Sequence, residues 1–332
     1  MAFIIDTLGW DFNNLELSNI SLRLETILDR LEIATQRNEK FYFSNELQSR
    51  PVYRDMDLWS FLYSDATQDL DNSIITELAS YLNGGMYYED QENIWPEGFP
   101  DNNVQDVNGE FVSLDYAFVH FKNLSGSPFA CITPVANAPK ELISENEHTT
   151  LTFISNDQEH KDFWRKNALF TMRDTQINLK FLSPHAYPNL YFHENVWNGV
   201  DDFLGGYAAV YGKLQKYLAT LDDYAYWIFT TPPPALHMED NIVYQANQTP
   251  SNDLIQRRFQ AVGLIFSPEK PDVKNNAKCR KAREIKIDKS TFYCEWHGKL
   301  ELYKNRIHIY PPVAESNQKV IIAIFHEHLP LP

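Results

Sequence analysis

The sequence lacks any hydrophobic run that approaches the length of a membrane span. A helix needs about 20 consecutive apolar residues to cross a bilayer, and none of the 332 residues belongs to such a run. The first ten residues also lack the basic segment and apolar core of a secretory signal peptide. We therefore expect a soluble protein of the cytoplasm that has no membrane partner.

Cysteine is scarce as well, with only Cys131, Cys279 and Cys294. An odd number of scattered cysteines does not make a disulfide framework, and Cys279 and Cys294 are too few for a zinc site of their own. The sequence also has no Gly-x-Ser-x-Gly motif, no glycine-rich phosphate loop and no dinucleotide-binding fingerprint. We therefore expect three free thiols, and we expect neither an ATPase, a kinase nor a nicotinamide-dependent enzyme.

Positive charge is in short supply over most of the chain. The sequence has 29 Lys and Arg against 45 Asp and Glu, a net charge of −16. Residues 267–332, which we call the basic tail, carry 12 Lys and Arg against 8 Asp and Glu, so the first 266 residues, the acidic body, carry −20. An acidic surface repels nucleic acid. The tail is therefore where an anionic partner is expected.

The spacing of apolar residues predicts both helices and strands, and hence a mixed α+β fold. Ile20, Leu24 and Leu28 follow helical spacing after Ser18, a candidate N-cap. Helices are expected at 19–37, 57–63, 73–82, 157–170, 207–221 and 254–259. Strands are expected at 116–121, 129–134, 150–154, 261–266, 282–287, 291–303, 306–310 and 320–325.

Composition and proline positions predict four regions along the chain. A helical N-terminal region (1–88) is followed by an acidic loop or linker (89–110). A mixed α/β, aromatic-rich domain (111–266) is interrupted by a stiff proline break at 232–234, and a basic antiparallel β-rich C-terminal domain (267–332) ends the sequence given.

The most regular pattern is a β-hairpin in the basic tail, running from Phe292 to Tyr310 and turning at Lys304-Asn305. Side chains alternate across a strand, so the hairpin has two different faces. The apolar face carries Phe292, Cys294, Trp296, Leu300, Leu302, Ile307 and Ile309. The polar face carries Glu295, His297, Lys299, Glu301, Arg306, His308 and Tyr310. We expect an antiparallel, half-exposed sheet with both histidines on its solvent-accessible face.

Two interpretations of the polar face stay open. It is the solvated outer side of a one-sided sheet, or it is a metal-independent ribonuclease site that needs no cofactor. Such an enzyme requires a base for the 2′-hydroxyl, an acid for the leaving oxygen and a cation at the phosphate. Histidine titrates near neutral pH, so one imidazole can start neutral and the other charged. The candidate catalytic residues are His297, His308, Lys299, Arg306 and Tyr310.

A run of positive charge precedes the hairpin. Between Lys274 and Lys289, seven Lys and Arg accompany two acidic residues, a net charge of +5. Such a run is expected to bind phosphates in a salt-dependent manner. The candidate nucleic-acid-binding residues are Lys274, Lys278, Arg280, Lys281 and Arg283.

One constellation in this region is typical of metal-dependent nucleases. Pro271-Asp272 followed by Glu284-Ile285-Lys286 matches their ligand skeleton, in which the carboxylates hold Mg²⁺ and the lysine steadies the nucleophile. A charged connector also produces this match by chance.

Histidine and aspartate clusters of the acidic body likewise have two interpretations. His185 and His193-Glu194 are metal ligands or buried, hydrogen-bonded side chains, and Pro184 and Pro188 break any helix that would align them. Carboxylate pairs on either side of the 207–221 helix cap its dipole or form a catalytic pair; they are Asp201-Asp202 and Asp222-Asp223.

The basic tail resembles the small sheet of RelE/ParE-type bacterial toxins. The likeness covers 252–332 and rests on the helix at 254–259, the hairpin with its Arg306-Ile307-His308 strand, and a last strand ending at His326-Glu327-His328. It implies a ribosome-dependent or free ribonuclease that uses basic, Tyr and His side chains. The acidic body has no counterpart in those small toxins and resembles uncharacterised bacterial proteins of mobile defence loci.

These observations predict one of two functions. In the first, the protein is a bacterial defence-associated or toxin-like effector whose tail binds or cleaves RNA. In the second, it is a non-catalytic recognition or adaptor subunit of a multi-protein antiviral defence complex, and the acidic, aromatic-rich body binds a protein partner.

Overall fold

The computed structural model describes residues 2–91, 94–95, 103–145, 147–169, 176–230 and 250–332. The chain forms two compact units, Met1–Thr171 and Met172–Pro332. Helices and strands occur in both units, which confirms the mixed α+β fold. The proline break at 232–234 and part of the 89–110 loop lie outside the described residues.

The first unit alternates short strands with helices. Its α-helices are α1 (Leu17–Gln36), α2 (Glu46–Ser49), α3 (Leu58–Leu62), α4 (Asn72–Gly84), α5 (Leu114–Leu124) and α6 (Asp157–Asp162). A π-helical segment, Phe163–Ala168, continues α6, and 3₁₀ turns occur at Thr7–Trp10, Asp65–Thr67 and Tyr88–Asp90. The strands are β1 (Ala2–Ile5), β2 (Lys40–Phe43), β3 (Pro51–Tyr53), β4 (Met56–Asp57), β5 (Met86–Tyr87), β6 (Gln105–Asp106), β7 (Phe129–Ile132), β8 (Lys140–Ser144), β9 (Glu147–Leu151) and β10 (Phe153–Ile154).

Five of these strands form a parallel sheet in the order β10-β7-β1-β2-β5. The chain starts in the middle of the sheet, moves outward to β5, and returns through β7 to the other side of β1. The central strands β1 and β7 are uninterrupted apolar runs with every residue buried, as expected when both faces of a parallel sheet are covered. The other strands form the β3–β4 hairpin and the sheet β6-β8-β9.

Most of the helices predicted for this unit are confirmed. α1, α3 and α4 lie at the predicted positions, and the buried side chains of α4 include Ile74, Leu78 and Leu82. The cap of α1 differs from the prediction, because the helix already begins at Leu17 and Glu16 occupies the N-cap position. The strands predicted at 129–134 and 150–154 contain β7, the end of β9 and β10.

The strand predicted at 116–121 is wrong, because these residues lie in α5. Ser113 caps this helix by accepting a hydrogen bond from the backbone N–H of Tyr116. Residues 115–120 are all buried, including the polar Asp115 and His120, so the segment has no exposed side. Periodicity cannot separate such a helix from a buried strand within a window of six residues.

In its described residues, 176–230 and 250–332, the second unit contains helices and two sheets. Its helices are α7 (Gln176–Ala186), α8 (Gly206–Phe229), α9 (Asn252–Ala261), α10 (Pro271–Asn275) and α11 (Ala277–Lys281), with 3₁₀ turns at Val196–Val200 and Ala314–Ser316. Its strands are β11 (Leu190–Phe192), β12 (Phe266–Pro268), β13 (Glu284–Ile287), β14 (Ser290–Tyr293), β15 (Trp296–Lys299), β16 (Arg306–Tyr310) and β17 (Val320–His326).

The larger sheet has the order β11-β17-β16-β15-β12, with β11 parallel to β17 and the other pairs antiparallel. β11 and β12 flank the three strands of the basic tail, although β11 and the start of β12 fall in the region 111–266. The tail is therefore not a separate sheet, and the sheet joins segments that the sequence assigned to different regions. Pairing between strands more than 100 residues apart leaves no local pattern in the sequence.

The predicted hairpin exists as β15 and β16, with Trp296 opposite Ile309 and His297 opposite His308. Phe292 lies outside it, because β14 pairs with β13 instead. The strand predicted at 261–266 is wrong, since α9 ends at Ala261 and β12 begins only at Phe266. Two short helices, α10 and α11, overlap the first half of the basic run between Lys274 and Lys289.

The long helix predicted at 207–221 is confirmed, and it continues to Phe229. Gly205 precedes it with φ of 86°, a left-handed conformation that favours glycine. Asp222 consequently lies within α8 and not at its end, and it accepts a hydrogen bond from the backbone N–H of Asn189. Pro184 lies inside α7, which continues to Ala186.

Other elements of the second unit pack against both faces of the hairpin. On the apolar face, the Trp296 ring lies 5.6 Å from Phe259 of α9 and 6.5 Å from Phe229 of α8. On the other face, the hairpin β13–β14 contributes Phe292 to a buried cluster that Tyr310 contacts. The prediction of a half-exposed sheet therefore holds only in part: on the polar face, His297 and Lys299 of β15 are partly exposed, whereas Arg306 and His308 of β16 are buried.

Candidate active site in the second unit

A pocket of about 520 Å³ opens on the polar face of the hairpin. We call it the candidate pocket. Its polar lining residues are Glu269, Lys270, Asp272, Arg283, His297, Lys299, Tyr303, Arg306, His308 and His328. Val273, Leu302, Leu329, Leu331 and Pro332 supply its apolar lining. The pocket therefore contains four of the five candidate catalytic residues.

The two histidines face each other across β15 and β16, with ring centroids 5.7 Å apart. They differ in exposure, since 17% of the His297 side chain is accessible against 2% for His308. His297 is therefore the imidazole that a ligand in the pocket can reach, and His308 lies behind it.

A buried ion pair lies beside both rings. Arg283 Nε donates to Glu269 Oε1 at 2.6 Å, and Arg283 Nη1 donates to the carbonyl oxygens of Cys279 and Pro330. The same Glu269 oxygen is 3.4 Å from Nδ1 of His297 and 3.9 Å from Nδ1 of His308. Neither Nδ1 makes a hydrogen bond to any described residue. The carboxylate thus neutralises Arg283 and lies close to both imidazoles.

Burial decides the protonation state of the two imidazoles. It lowers the pKa of His297 to about 4, and the positive charges of Arg306, Lys299 and Arg283 act in the same direction. Burial also lowers the pKa of His308 well below its ordinary value, with a smaller contribution from His297. The prediction of one neutral and one charged imidazole is therefore wrong, because both rings are neutral at pH 7.

The other three candidate catalytic residues have different environments. Lys299 follows His297 by two residues on the same face of β15 and lines the candidate pocket. Tyr310 packs its ring 5.0 Å from Phe292, in the apolar cluster beneath the β13–β14 hairpin. Tyr310 is therefore not among the residues that line the pocket.

Arg306 makes hydrogen bonds to the backbone of the turn between β15 and β16. Its Nη1 donates to the carbonyl oxygens of Glu301, Lys304 and Asn305, and its Nη2 donates to that of Leu302. These bonds occupy both terminal nitrogens with backbone acceptors. Arg306 therefore holds the turn in place through its backbone acceptors, and it also lines the candidate pocket.

The basic run divides into exposed and buried residues. Lys274, Lys278, Arg280 and Lys281 are exposed on α10 and α11. The charged groups of Lys274 and Arg280 lie 5.8 Å and 6.0 Å from the centre of the Tyr293 ring. Arg283, the fifth predicted nucleic-acid ligand, is buried in its pair with Glu269 and is not accessible to RNA.

The metal-site interpretations find no geometric support. Within the part of the chain that the structure describes, no group of three or more His, Cys, Asp or Glu side chains is arranged to hold a metal ion. Asp272 lines the candidate pocket, whereas Glu284 and Lys286 line another one, so the nuclease skeleton is not assembled. Nε2 of the buried His193 lies 3.1 Å from the carbonyl oxygen of Lys286.

A buried polar cluster in the first unit was not foreseen. Asp6 follows β1, at the point where the sheet order reverses and where doubly wound α/β proteins bind ligands. Asp115 accepts hydrogen bonds from the backbone N–H of Thr7 and from the Tyr88 hydroxyl. Burial raises the pKa of Asp6, and it raises that of Asp115 to about 7.

The sequence interpretation missed Glu269 in the candidate pocket. The sequence offered one weak signal for this residue, namely a carboxylate placed between a predicted strand and a basic run. Its partnership with Arg283 depends on the packing of α11 and β13, which no local pattern reveals. The three cysteines are free, as predicted, and all three are buried.

Comparisons with protein-family models, with curated proteins and with solved structures found no match to this chain. In the described ranges, no helix combines the length and the hydropathy that crossing a bilayer requires.

Proposed function

We propose that the candidate pocket binds the phosphodiester backbone of RNA and that His297 is the general base for its cleavage. One observation carries the proposal: an accessible, neutral imidazole lies in an open pocket beside a lysine, backed by a second histidine and a buried ion pair. A neutral imidazole accepts protons at physiological pH, and an ammonium group attracts phosphate.

The reaction uses groups of this chain alone. His297 takes the proton of the RNA 2′-hydroxyl, and the freed oxygen attacks the adjacent phosphorus. The bond between phosphorus and the 5′-oxygen breaks, and the leaving oxygen takes a proton from the Lys299 ammonium. The products are a 2′,3′-cyclic phosphate and a 5′-hydroxyl end. Proton exchange with water returns His297 and Lys299 to their starting states.

The remaining polar residues position these two groups. His308 and the Glu269–Arg283 pair form the wall behind His297 and restrict the orientation of its ring. The four exposed cations of α10 and α11 attract the RNA backbone from solution. We propose, on this chemistry and on the toxin-like pattern of the tail, that the protein is a defence-associated or toxin-like bacterial effector.

The test compares His297→Gln with the wild type on a single-stranded RNA in the presence of a metal chelator. Glutamine keeps a polar side chain of similar size but cannot take up the proton. We expect the cleavage rate to fall by about 10²- to 10⁴-fold, with RNA affinity retained. The wild type should leave cyclic phosphate ends.

His193→Gln is the matched control, since it changes a buried histidine of the same unit that does not line the candidate pocket. Its cleavage rate should equal that of the wild type. Equal rates for both variants, or a wild type that neither cleaves RNA nor inhibits bacterial growth on expression, would reject the proposal. The latter result would favour the adaptor function.

A further inference from the structure

The turn between β15 and β16 exposes two large side chains at the mouth of the candidate pocket. Leu302 is 71% exposed and Tyr303 is 83% exposed, and both line the pocket together with Leu331, which is 59% exposed. Single exposed apolar residues are common, but these three share the rim of one polar pocket.

The turn has a fixed shape despite its exposed side chains. Arg306 donates four hydrogen bonds to its carbonyl oxygens, and the backbone N–H of Leu300 donates to the carbonyl oxygen of Asn305 at 3.0 Å. Asn305 adopts a left-handed conformation with φ of 59°, and its side-chain amide donates to the Glu301 carboxylate. The backbone beneath Tyr303 is therefore preorganised, and ordering it costs a ligand little.

We infer that Tyr303 is a stacking platform for an unpaired nucleobase, so that the pocket takes single-stranded RNA. Aromatic side chains next to cationic grooves bind single strands in this way, because every base has a flat apolar face. Lys299 and Lys270 line the same pocket and bind the phosphates that flank the stacked base. In a duplex the base faces are covered by their neighbours and are not available to the ring. This inference rests on the function proposed above.

The charges around the turn favour RNA over an apolar protein segment as the occupant. Lys270, Lys299 and His328 share the lining with the exposed apolar residues, so an apolar segment would bury these polar groups without partners. A nucleotide can contact both the apolar and the cationic lining residues, because the faces of its base are apolar and its phosphate is anionic.

The experiment measures binding of a short fluorescent RNA that carries 2′-O-methyl groups and therefore cannot be cleaved. The same strand is tested alone and annealed to its complement. We expect the wild type to prefer the single strand and Tyr303→Ala to weaken its binding by about 5- to 150-fold, the loss of one base–aromatic stack. Tyr303→Phe keeps the ring and should bind like the wild type.

Tyr63→Ala is the matched control, because Tyr63 of the first unit is similarly exposed, at 71%. It should leave RNA binding unchanged. Wild-type affinity in Tyr303→Ala, or equal affinity for single strand and duplex, overturns the stacking inference while leaving RNA cleavage in place. Absence of any RNA binding by the wild type overturns both proposals and assigns the exposed turn to a protein partner.

Discussion

Arg283 and Glu269 form an ion pair at 2.6 Å that is closed to solvent, with 2% and 6% of their side chains exposed. Two further hydrogen bonds from Arg283 reach backbone carbonyl groups on either side of the pair. The pair thereby fixes the segment before β13 against the polar face of the sheet. The arginine that the sequence assigned to RNA binding is a structural residue.

Arg283→Met should therefore destabilise the second unit. The substitution leaves the Glu269 carboxylate buried without its partner, which typically costs about 3–5 kcal/mol. Arg280→Met is the control, because its pair with Glu284 is exposed and should contribute less than about 1 kcal/mol. The free energy of unfolding of each variant is measured in urea by hydrogen exchange of the backbone amides in β13 to β16. Similar losses for the two variants would contradict the structural role of Arg283.

Acid should destabilise the second unit through His297. The folded-state pKa is lowered to about 4, whereas a free histidine titrates near 6.5. The unfolded chain therefore binds more protons between these values, and stability falls as pH drops from about 6.5 to 4. The slope from one such group reaches about 1.4 kcal/mol per pH unit. His297→Gln should flatten this part of the stability profile, and an unchanged profile would show that the ring is not desolvated.

The same pKa sets the pH dependence of RNA cleavage. A base with a pKa of about 4 is already deprotonated at pH 6. The rate of cleavage at low substrate concentration should therefore rise about tenfold per pH unit below pH 4 and stay level above about pH 5. An ascending limb centred near 6.5 would instead indicate a solvated histidine as the base.

Salt should weaken RNA binding, and the exposed lysines of α10 and α11 should account for part of the slope. Replacing Lys274, Lys278 and Lys281 with Ala removes up to three phosphate contacts, each worth about 0.7 in the plot of log affinity against log salt for a single strand. We expect a slope flatter by up to about 2. The exposed pair Lys213 and Lys216 on α8 provides the control substitution. An equal slope in both variants would mean that the basic run does not contact RNA.

The first unit should show the opposite response to pH. The pKa of Asp115 is raised to about 7, so the folded state holds a proton that the unfolded chain has already lost above pH 4. Stability from this group is present below about pH 4 and is lost as pH rises to about 7, by up to about 1.4 kcal/mol per pH unit. In the Asp115→Asn variant this loss of stability with rising pH should be smaller, as measured by hydrogen exchange of the backbone amides in β1 and β7. An equal loss in the variant and the wild type would contradict the prediction.

The sequence by itself determined much of the local structure. α1 and α8 follow from helical spacing, and the hairpin β15–β16 follows from strict alternation. Alternation also placed His297 and His308 on one face, because side chains on paired strands alternate with a period of two. These features depend on residues close together in the chain, where composition and spacing carry the information.

Tertiary structure alone decided what those faces meet. The sequence left the polar face exposed, but the β13–β14 hairpin packs against Tyr310 on this face and the Glu269–Arg283 pair lies beside both imidazoles, of which His308 is buried and His297 is partly exposed. Packing against a face changes the pKa of its histidines and converts Arg306 into a clamp for its own turn. The central position of β1 in the parallel sheet likewise depends on strands far apart in the chain. Burial and long-range pairing are properties of the packed chain, so local spacing could not predict them.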